Sequence, residues 1–298
     1  QATGNVVDLA AGNDTLVLGA FANTVTVTDA ETITGVGGAD VVVFGAAVTG
    51  ATVDLAGGAD TLTFDATGAT VTVSNVETVT GSAADDLLTL GGQAAGVIVD
   101  LAGGDDILTL GAHVNTVSVS NAETVTGGAS TDIVTLATQA TGTVVDLAGG
   151  ADKLVLGAFD NTVSVSGVET VTGAASADVV VLAAQATATA IDLAGGDDTL
   201  TLGAFVNTVT VSNVETVTGG STDDTVTLGA QATGTVVDLA AGNDTLVLGA
   251  FDNTVTVSGV ETVTGATADD TVVFGAAVTG ATVDLGDGDD VLTFDAAG

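Results

Sequence analysis

Thirteen aspartates recur along the chain at the head of short apolar segments, and their type and spacing could support chemistry. Each is followed, two and four residues later, by Val, Leu or Phe, as Asp106 is by Leu108 and Leu110. The intervals between successive aspartates alternate between 26 and 20 residues. Regularly repeated carboxylates suit hard cations, which prefer oxygen ligands. These residues, hereafter the aspartate ladder, are Asp14, Asp40, Asp60, Asp86, Asp106, Asp132, Asp152, Asp178, Asp198, Asp224, Asp244, Asp270 and Asp290.

A repeat of 46 residues carries the ladder without insertions or deletions. A second row of aspartates, in Val-Asp-Leu-type motifs, recurs at that step: Asp8, Asp54, Asp100, Asp146, Asp192, Asp238 and Asp284. Midway between them stand all six glutamates: Glu31, Glu77, Glu123, Glu169, Glu215 and Glu261. We therefore interpret residues 1–298 as a single repetitive domain of about 6.5 repeats, and as part of a longer array or filament.

The apolar residues after each ladder aspartate alternate with polar ones, which is the period of a strand with one buried face. Further strands, such as 208–211 and 235–239, lie between them. We predict an all-β, parallel β-solenoid (a β-roll or β-helix) of about 13 stacked coils, with two coils of 20 and 26 residues in each 46-residue repeat. In this arrangement the ladder follows one edge, and its side chains share the inward orientation of Leu108 and Leu110.

The charge balance restricts the partners. Aspartate and glutamate number 38 against one lysine, which gives a formal net charge of −37. Nucleic acid and anionic membrane surfaces are excluded because both require a basic patch. No apolar run approaches the roughly 20 residues that span a bilayer, so we predict no membrane insertion. Cations are the expected partners.

The negative charges of inward-facing aspartates at this spacing must be neutralised. Adjacent carboxylates about 4.8 Å apart repel by about 0.9 kcal/mol in water and by about 3.5 kcal/mol at an effective dielectric near 20. One lysine cannot offset thirteen such charges, so protonation, screening by monovalent ions or bound divalent cations must do so. Closely spaced carboxylates together with backbone carbonyls favour calcium, Ca²⁺.

At this point the residues resemble a known family. An aspartate that follows a Gly-rich turn and precedes an x-apolar-x segment, as in 103–110, resembles the RTX calcium-binding β-roll repeat of bacterial secreted and surface proteins. The motif is degenerate, because each loop keeps only part of the glycine pattern and the predicted coils exceed the family's length. The resemblance implies calcium between successive loops, secretion to a calcium-rich exterior, and folding after export.

We accordingly expect an extracellular structural or adhesive protein of the surface-layer, biofilm-matrix or adhesin-stalk type, stiffened by calcium and self-associating end to end or into filaments. We do not expect an enzyme, because the single histidine, His113, has no repeated partner and the carboxylates do not converge. Two alternatives remain open. One is a calcium-triggered folding module of an exported protein, and the other is an ice-binding solenoid, for which Thr-x-Thr segments such as 24–26 and 208–210 occur only in alternate coils. The Asp8 and Glu31 rows could form a second cation ladder, but they flank outward strand positions and are interpreted as a solvated outer face.

Overall fold

A computed structural model describes residues 1–65 and 67–295 and confirms the predicted fold class. All regular elements in these residues are β-strands, and they form a parallel β-solenoid of about 15 turns. The number of turns is close to the 13 expected from the sequence. No described segment is a helix of the length and apolarity that crossing a membrane requires.

The chain divides into two compact units, Gln1–Asp152 and Lys153–Gly298. The strands of the first are β1 (Thr3–Asp8), β2 (Thr15–Val17), β3 (Thr24–Thr28), β4 (Thr32–Thr34), β5 (Val41–Phe44), β6 (Val48–Asp54), β7 (Thr61–Thr63), β8 (Ala69–Ser74), β9 (Thr78–Thr80), β10 (Leu87–Leu90), β11 (Ala95–Asp100), β12 (Ile107–Thr109), β13 (Asn115–Ser120), β14 (Thr124–Thr126), β15 (Asp132–Leu136) and β16 (Thr141–Asp146). Those of the second are β17 (Lys153–Val155), β18 (Thr162–Ser166), β19 (Thr170–Thr172), β20 (Val179–Leu182), β21 (Thr187–Asp192), β22 (Thr199–Thr201), β23 (Thr208–Ser212), β24 (Thr216–Thr218), β25 (Thr225–Leu228), β26 (Thr233–Asp238), β27 (Thr245–Val247), β28 (Thr254–Ser258), β29 (Thr262–Ala266), β30 (Thr271–Phe274), β31 (Thr282–Gly286) and β32 (Val291–Phe294).

Within each unit, consecutive strands alternate between two parallel sheets. In the first unit the odd-numbered strands pair in the order β1-β3-β5-β7-β9-β11-β13-β15, and the even-numbered strands from β2 to β16 pair in the same way. The second unit repeats the arrangement with β17 to β31 and β18 to β32. One coil therefore consists of one odd and one even strand, and residues stacked in neighbouring coils are 17, 20 or 21 positions apart in sequence.

The core is built from the alternation in each strand. In β3 the valines at positions 25 and 27 are buried while the threonines beside them face outward, and the same pattern recurs in strand after strand. Leu and Val fill most of the space between the two sheets, with Phe44 and Phe274 the largest fully buried side chains. Burying one Val or Leu side chain contributes about 1.5–3 kcal/mol, so these short strands are held mainly by their apolar face.

Each repeat holds five strands, one more than the minimum of two in each of the two predicted coils. Residues 15–54 form β2 to β6, and the corresponding residues 61–100 form β7 to β11. The additional strand is the three-residue Thr-x-Thr segment after each glutamate, for example Thr78–Thr80, which is too short to give a clear strand signal. Because five is odd, successive repeats exchange sheets: β2 belongs to the even sheet, β7 to the odd sheet and β12 to the even sheet again.

Candidate functional site

Every ladder aspartate lies immediately before or at the start of a strand, with its side chain turned inward. Eleven of the thirteen are buried, and the two outermost, Asp14 and Asp290, are partly exposed. The expectation of a single edge was wrong. Asp60 precedes β7 of the odd sheet whereas Asp106 precedes β12 of the even sheet, because five strands per repeat move each motif to the opposite sheet.

The first structural role of these carboxylates is to cap the backbone. The main-chain N–H of Asp40 donates to Oδ1 of Asp60 at 2.7 Å, and that of Asp86 donates to Oδ1 of Asp106 at 2.7 Å. In each pair the acceptor belongs to the following coil. A buried N–H without a partner would cost free energy comparable to a lost hydrogen bond, so in each of these pairs one carboxylate oxygen of the acceptor is committed to this bond.

These caps are organised in stacks of four residues over four successive coils, here called Asn–Asp–Asp–Glu stacks. The stack of Asp86, Asp106 and Glu123 begins instead at the N–H of Ala69. In the second unit, the N–H of Asn207 donates to Asp224 at 3.0 Å, that of Asp224 to Asp244 at 2.7 Å, and that of Asp244 to Oε2 of Glu261 at 2.9 Å. The Asn–Asp–Asp–Glu stacks whose three bonds all lie within one unit are Asn23–Asp40–Asp60–Glu77, Asn161–Asp178–Asp198–Glu215 and Asn207–Asp224–Asp244–Glu261.

The asparagine closes the turn at the start of each stack. Nδ2 of Asn207 donates to the carbonyl oxygens of Gly203 and Phe205 at 3.2 and 2.6 Å, and to Oδ1 of Asp224 at 2.9 Å. Its own Oδ1 accepts the N–H of Ala186 at 3.0 Å. All polar atoms of this fully buried side chain are thus used, which explains why an asparagine recurs in these turns.

The two aspartates of the Asn207 stack differ in the number of hydrogen bonds that they accept. Oδ1 of the first, Asp224, accepts both the N–H and Nδ2 of Asn207, and its Oδ2 accepts the N–H of Gly220 at 3.2 Å. The second, Asp244, receives one main-chain bond at Oδ1, from Asp224, and no hydrogen bond at Oδ2. In this stack the second aspartate therefore accepts fewer hydrogen bonds than the first. In the stacks that begin at Asn23 and Asn161, Oδ2 of the first aspartate, Asp40 or Asp178, also has no hydrogen bond.

Buried carboxylate oxygens without a hydrogen bond recur along the ladder. They are the Oδ2 atoms of Asp14, Asp40, Asp60, Asp106, Asp178, Asp198, Asp244 and Asp270. Burial raises the pKa of Asp106, Asp198 and Asp244 to about 6. Nearby carboxylates raise it further, in the case of Asp106 those of Asp86, Glu123 and Asp85, while the main-chain bond from Asp86 lowers it. Burial also raises the pKa of Asp60 and Asp178. These groups therefore favour a proton or a cation at Oδ2.

The glutamates lie at the surface, as the sequence indicated, and they also have a structural role. Glu77 and Glu123 are exposed, yet Oε2 of Glu77 accepts the N–H of Asp60 at 2.7 Å and so ends the stack. The Asp8 row also lies near the surface, where Oδ1 of Asp100 caps the N–H of Ala102 at 3.1 Å and accepts Nδ2 of Asn121 at 2.7 Å. The constant interval of 17 residues from Asp60 to Glu77 was the sequence signal for this contact. It indicates the contact only once the length of that coil is known to be 17 residues.

The carboxylates alone do not complete a calcium site. Within residues 1–65 and 67–295, no three His, Cys, Asp or Glu side chains come together as a metal-binding group. Calcium takes six to eight oxygen ligands, and each second aspartate has only one oxygen left after capping the backbone. A buried, unpartnered carboxylate oxygen does suit a hard cation, but turn carbonyls and water would have to supply most of its coordination shell.

Comparison of the sequence with protein-family models and with curated proteins found no match.

Proposed function

We propose that this protein is a structural repeat segment of an extracellular surface layer, matrix fibre or adhesin, and that calcium ions neutralise its aspartate ladder. The β-solenoid is a fold suited to a structural repeat protein. The observation that supports the calcium assignment is the series of buried Oδ2 atoms without a hydrogen-bond donor. In a chain with a single lysine and a net charge of −37, counter-charge must come from outside.

Electrostatics favours a divalent ion over protons at neutral pH. A group with a pKa of about 6, such as Asp106, is mostly ionised at pH 7, so protons alone leave the ladder charged. Monovalent ions screen exposed charges effectively but act less on buried ones. A calcium ion placed at these oxygens would remove two charges at once, and calcium is the ion that oxygen-only sites accept most readily. Secretion follows from the same requirement, because the calcium supply must be ample.

Self-association belongs to the same proposal. The chain presents no basic surface for an acidic partner, and two copies repel each other unless cations intervene. We therefore expect end-to-end or filament association only with calcium, measurable by sedimentation velocity at several protein concentrations. A module that merely folds when calcium is added would stay monomeric under the same conditions.

The deciding experiment is circular dichroism during a calcium titration, with EGTA and with magnesium as comparisons. We expect calcium to induce or stabilise the β-structure, and magnesium to be a poor substitute because it keeps its water ligands. The matched variant carries Asp60, Asp106, Asp198 and Asp244 replaced by asparagine, which keeps an Oδ1 acceptor in each turn. It should fold in EGTA and show a smaller calcium response than the wild type, because the unpartnered Oδ2 atoms of Asp14, Asp40, Asp178 and Asp270 remain. A wild-type chain that is equally stable in EGTA and in calcium would overturn the calcium assignment.

A further inference from the structure

The outer face of the odd sheet in the second unit carries a two-column array of threonines. Strands β23, β25, β27 and β29 each direct two residues outward at equivalent positions, and seven of these eight residues are threonine. The array, hereafter the threonine grid, consists of Thr208, Thr210, Thr225, Thr227, Thr245, Val247, Thr262 and Thr264. All eight are exposed or partly exposed.

The strand pairing sets the grid in both directions. Thr208 pairs with Thr225, Thr225 with Thr245, and Thr245 with Thr262, all in parallel without a bulge. Neighbouring strands are about 4.8 Å apart, and the two columns are about 6.6 Å apart because residues on one face of a strand are two positions apart. The grid is thus a near-rectangular array of hydroxyl and methyl groups, anchored by buried residues such as Val226 and Leu246 beneath it.

This continuity was not expected from the sequence, which suggested Thr-x-Thr segments only in alternate coils. The short strands after the glutamates supply the missing rows, because β29 places Thr262 and Thr264 in register with the preceding strand. β25 contributes Thr225 and Thr227 from the segment that follows a ladder aspartate. Three kinds of strand therefore build one continuous array.

The chemistry of the grid differs from that of the rest of the surface. None of its eight residues is charged, although the chain carries 38 carboxylate side chains. Threonine is β-branched, so its χ1 angle is restricted and its hydroxyl and methyl hold fixed directions. The grid forms no pocket that would select a small molecule by shape. It is suited to an uncharged partner that repeats in two dimensions.

We propose that the threonine grid binds ice. Along the strands and across them, the grid spacings are close to repeat distances of hexagonal ice, and the methyl and hydroxyl groups together can hold a first layer of water in lattice positions. Ice offers the regular, uncharged surface that the grid matches, and its binding needs no ion. This function is independent of calcium at the aspartate ladder, which lies on the inner side of the strands.

The test is ice-recrystallisation inhibition and thermal hysteresis of the whole chain, measured in the same buffer for wild type and variants. The wild type should be active, and the double substitution Thr208→Tyr with Thr210→Tyr in β23 should reduce activity to the level of buffer. The matched control is Thr254→Tyr with Thr256→Tyr in β28, a strand of identical sequence. There Thr256 lies between Val236 and Val273, so no grid exists and activity should be retained.

A gain-of-function variant keeps the proposal testable if a tyrosine variant folds poorly. Val247→Thr would complete the grid and should increase the activity of the wild type. Circular dichroism of every variant checks the fold. Ice binding would be overturned by an inactive wild type or by equal losses of activity in the β23 and β28 variants. It would also be overturned if sedimentation showed a dimer that only the β23 variant disrupts, because the face would then serve association between two copies of the chain.

Discussion

The main-chain N–H of Asp86 donates a 2.7 Å hydrogen bond to Oδ1 of Asp106, which lies 20 residues later in the chain and one coil further along the solenoid. Asp106 is fully buried, and its other oxygen has no hydrogen-bond donor. The same side chain therefore stabilises the fold through one oxygen and destabilises it through the other, and substitutions can separate the two effects.

Asparagine and alanine at position 106 should behave differently. Asp106→Asn keeps the acceptor for Asp86 and removes a charge whose pKa is raised to about 6, so we expect it to stabilise the metal-free protein by about 1 kcal/mol. Asp106→Ala also removes the charge but leaves the Asp86 N–H without a partner, and it should be about 1–3 kcal/mol less stable than the asparagine variant. Urea unfolding in EGTA measures both. Equal stability of the two variants would contradict the capping role.

The stability of the metal-free protein should fall as the pH rises. Asp106, Asp198 and Asp244 have pKa values of about 6 in the folded chain, above the ordinary value of 3.8, so the folded state binds protons more tightly than the unfolded state. Their contribution is fully present below about pH 4 and is lost as the pH rises through about 6. Thermal unfolding in EGTA between pH 4.5 and 8 should show a falling midpoint. A midpoint that rises over this interval would argue against the strain at these carboxylates.

The buried asparagines should not tolerate a charge. Asn207→Asp replaces an amide that donates to Phe205, Gly203 and Asp224 with an acceptor, so carbonyl and carboxylate oxygens would face one another. We expect a loss of about 3 kcal/mol or more at neutral pH. The control is Asn213→Asp, where the exposed Nδ2 donates to Asp192 at 2.7 Å and the loss should be below about 1 kcal/mol. Comparable losses at both sites would show that burial is not what matters.

One glycine after each glutamate-linked strand is fixed by close approach to the next coil. A Cβ at Gly219 would lie 2.4 Å from the carbonyl oxygen of Leu239, so Gly219→Ala must displace backbone and should cost at least about 2 kcal/mol. Gly195 lies in a turn where an added Cβ meets nothing within 4 Å, and Gly195→Ala should be neutral or slightly stabilising. Thermal unfolding of the two variants decides this, and a larger loss at Gly195 would be inconsistent with the packing described here.

Much of the architecture could be predicted because strand alternation is a local signal. The residues two and four after each ladder aspartate indicated buried positions, and Leu108 and Leu110 are buried as expected. Coil length is not local, because it depends on which strand pairs with which. The three residues Thr78–Thr80 were too short to be recognised as a strand, and omitting them placed the ladder on one edge and left Glu77 outside it. The unpartnered oxygens could not be predicted either, since they follow from how each turn distributes its few N–H donors.

The odd number of strands per repeat also constrains how such a chain can lengthen. Within a unit, duplicating a single 46-residue segment would shift every later strand to the opposite sheet. An outer face that was continuous before the duplication would then be divided between the two sheets. Duplicating two segments together would restore the original facing. Gene duplications in pairs would thus preserve a face that had acquired a use, whereas single duplications would distribute copies of it around the molecule.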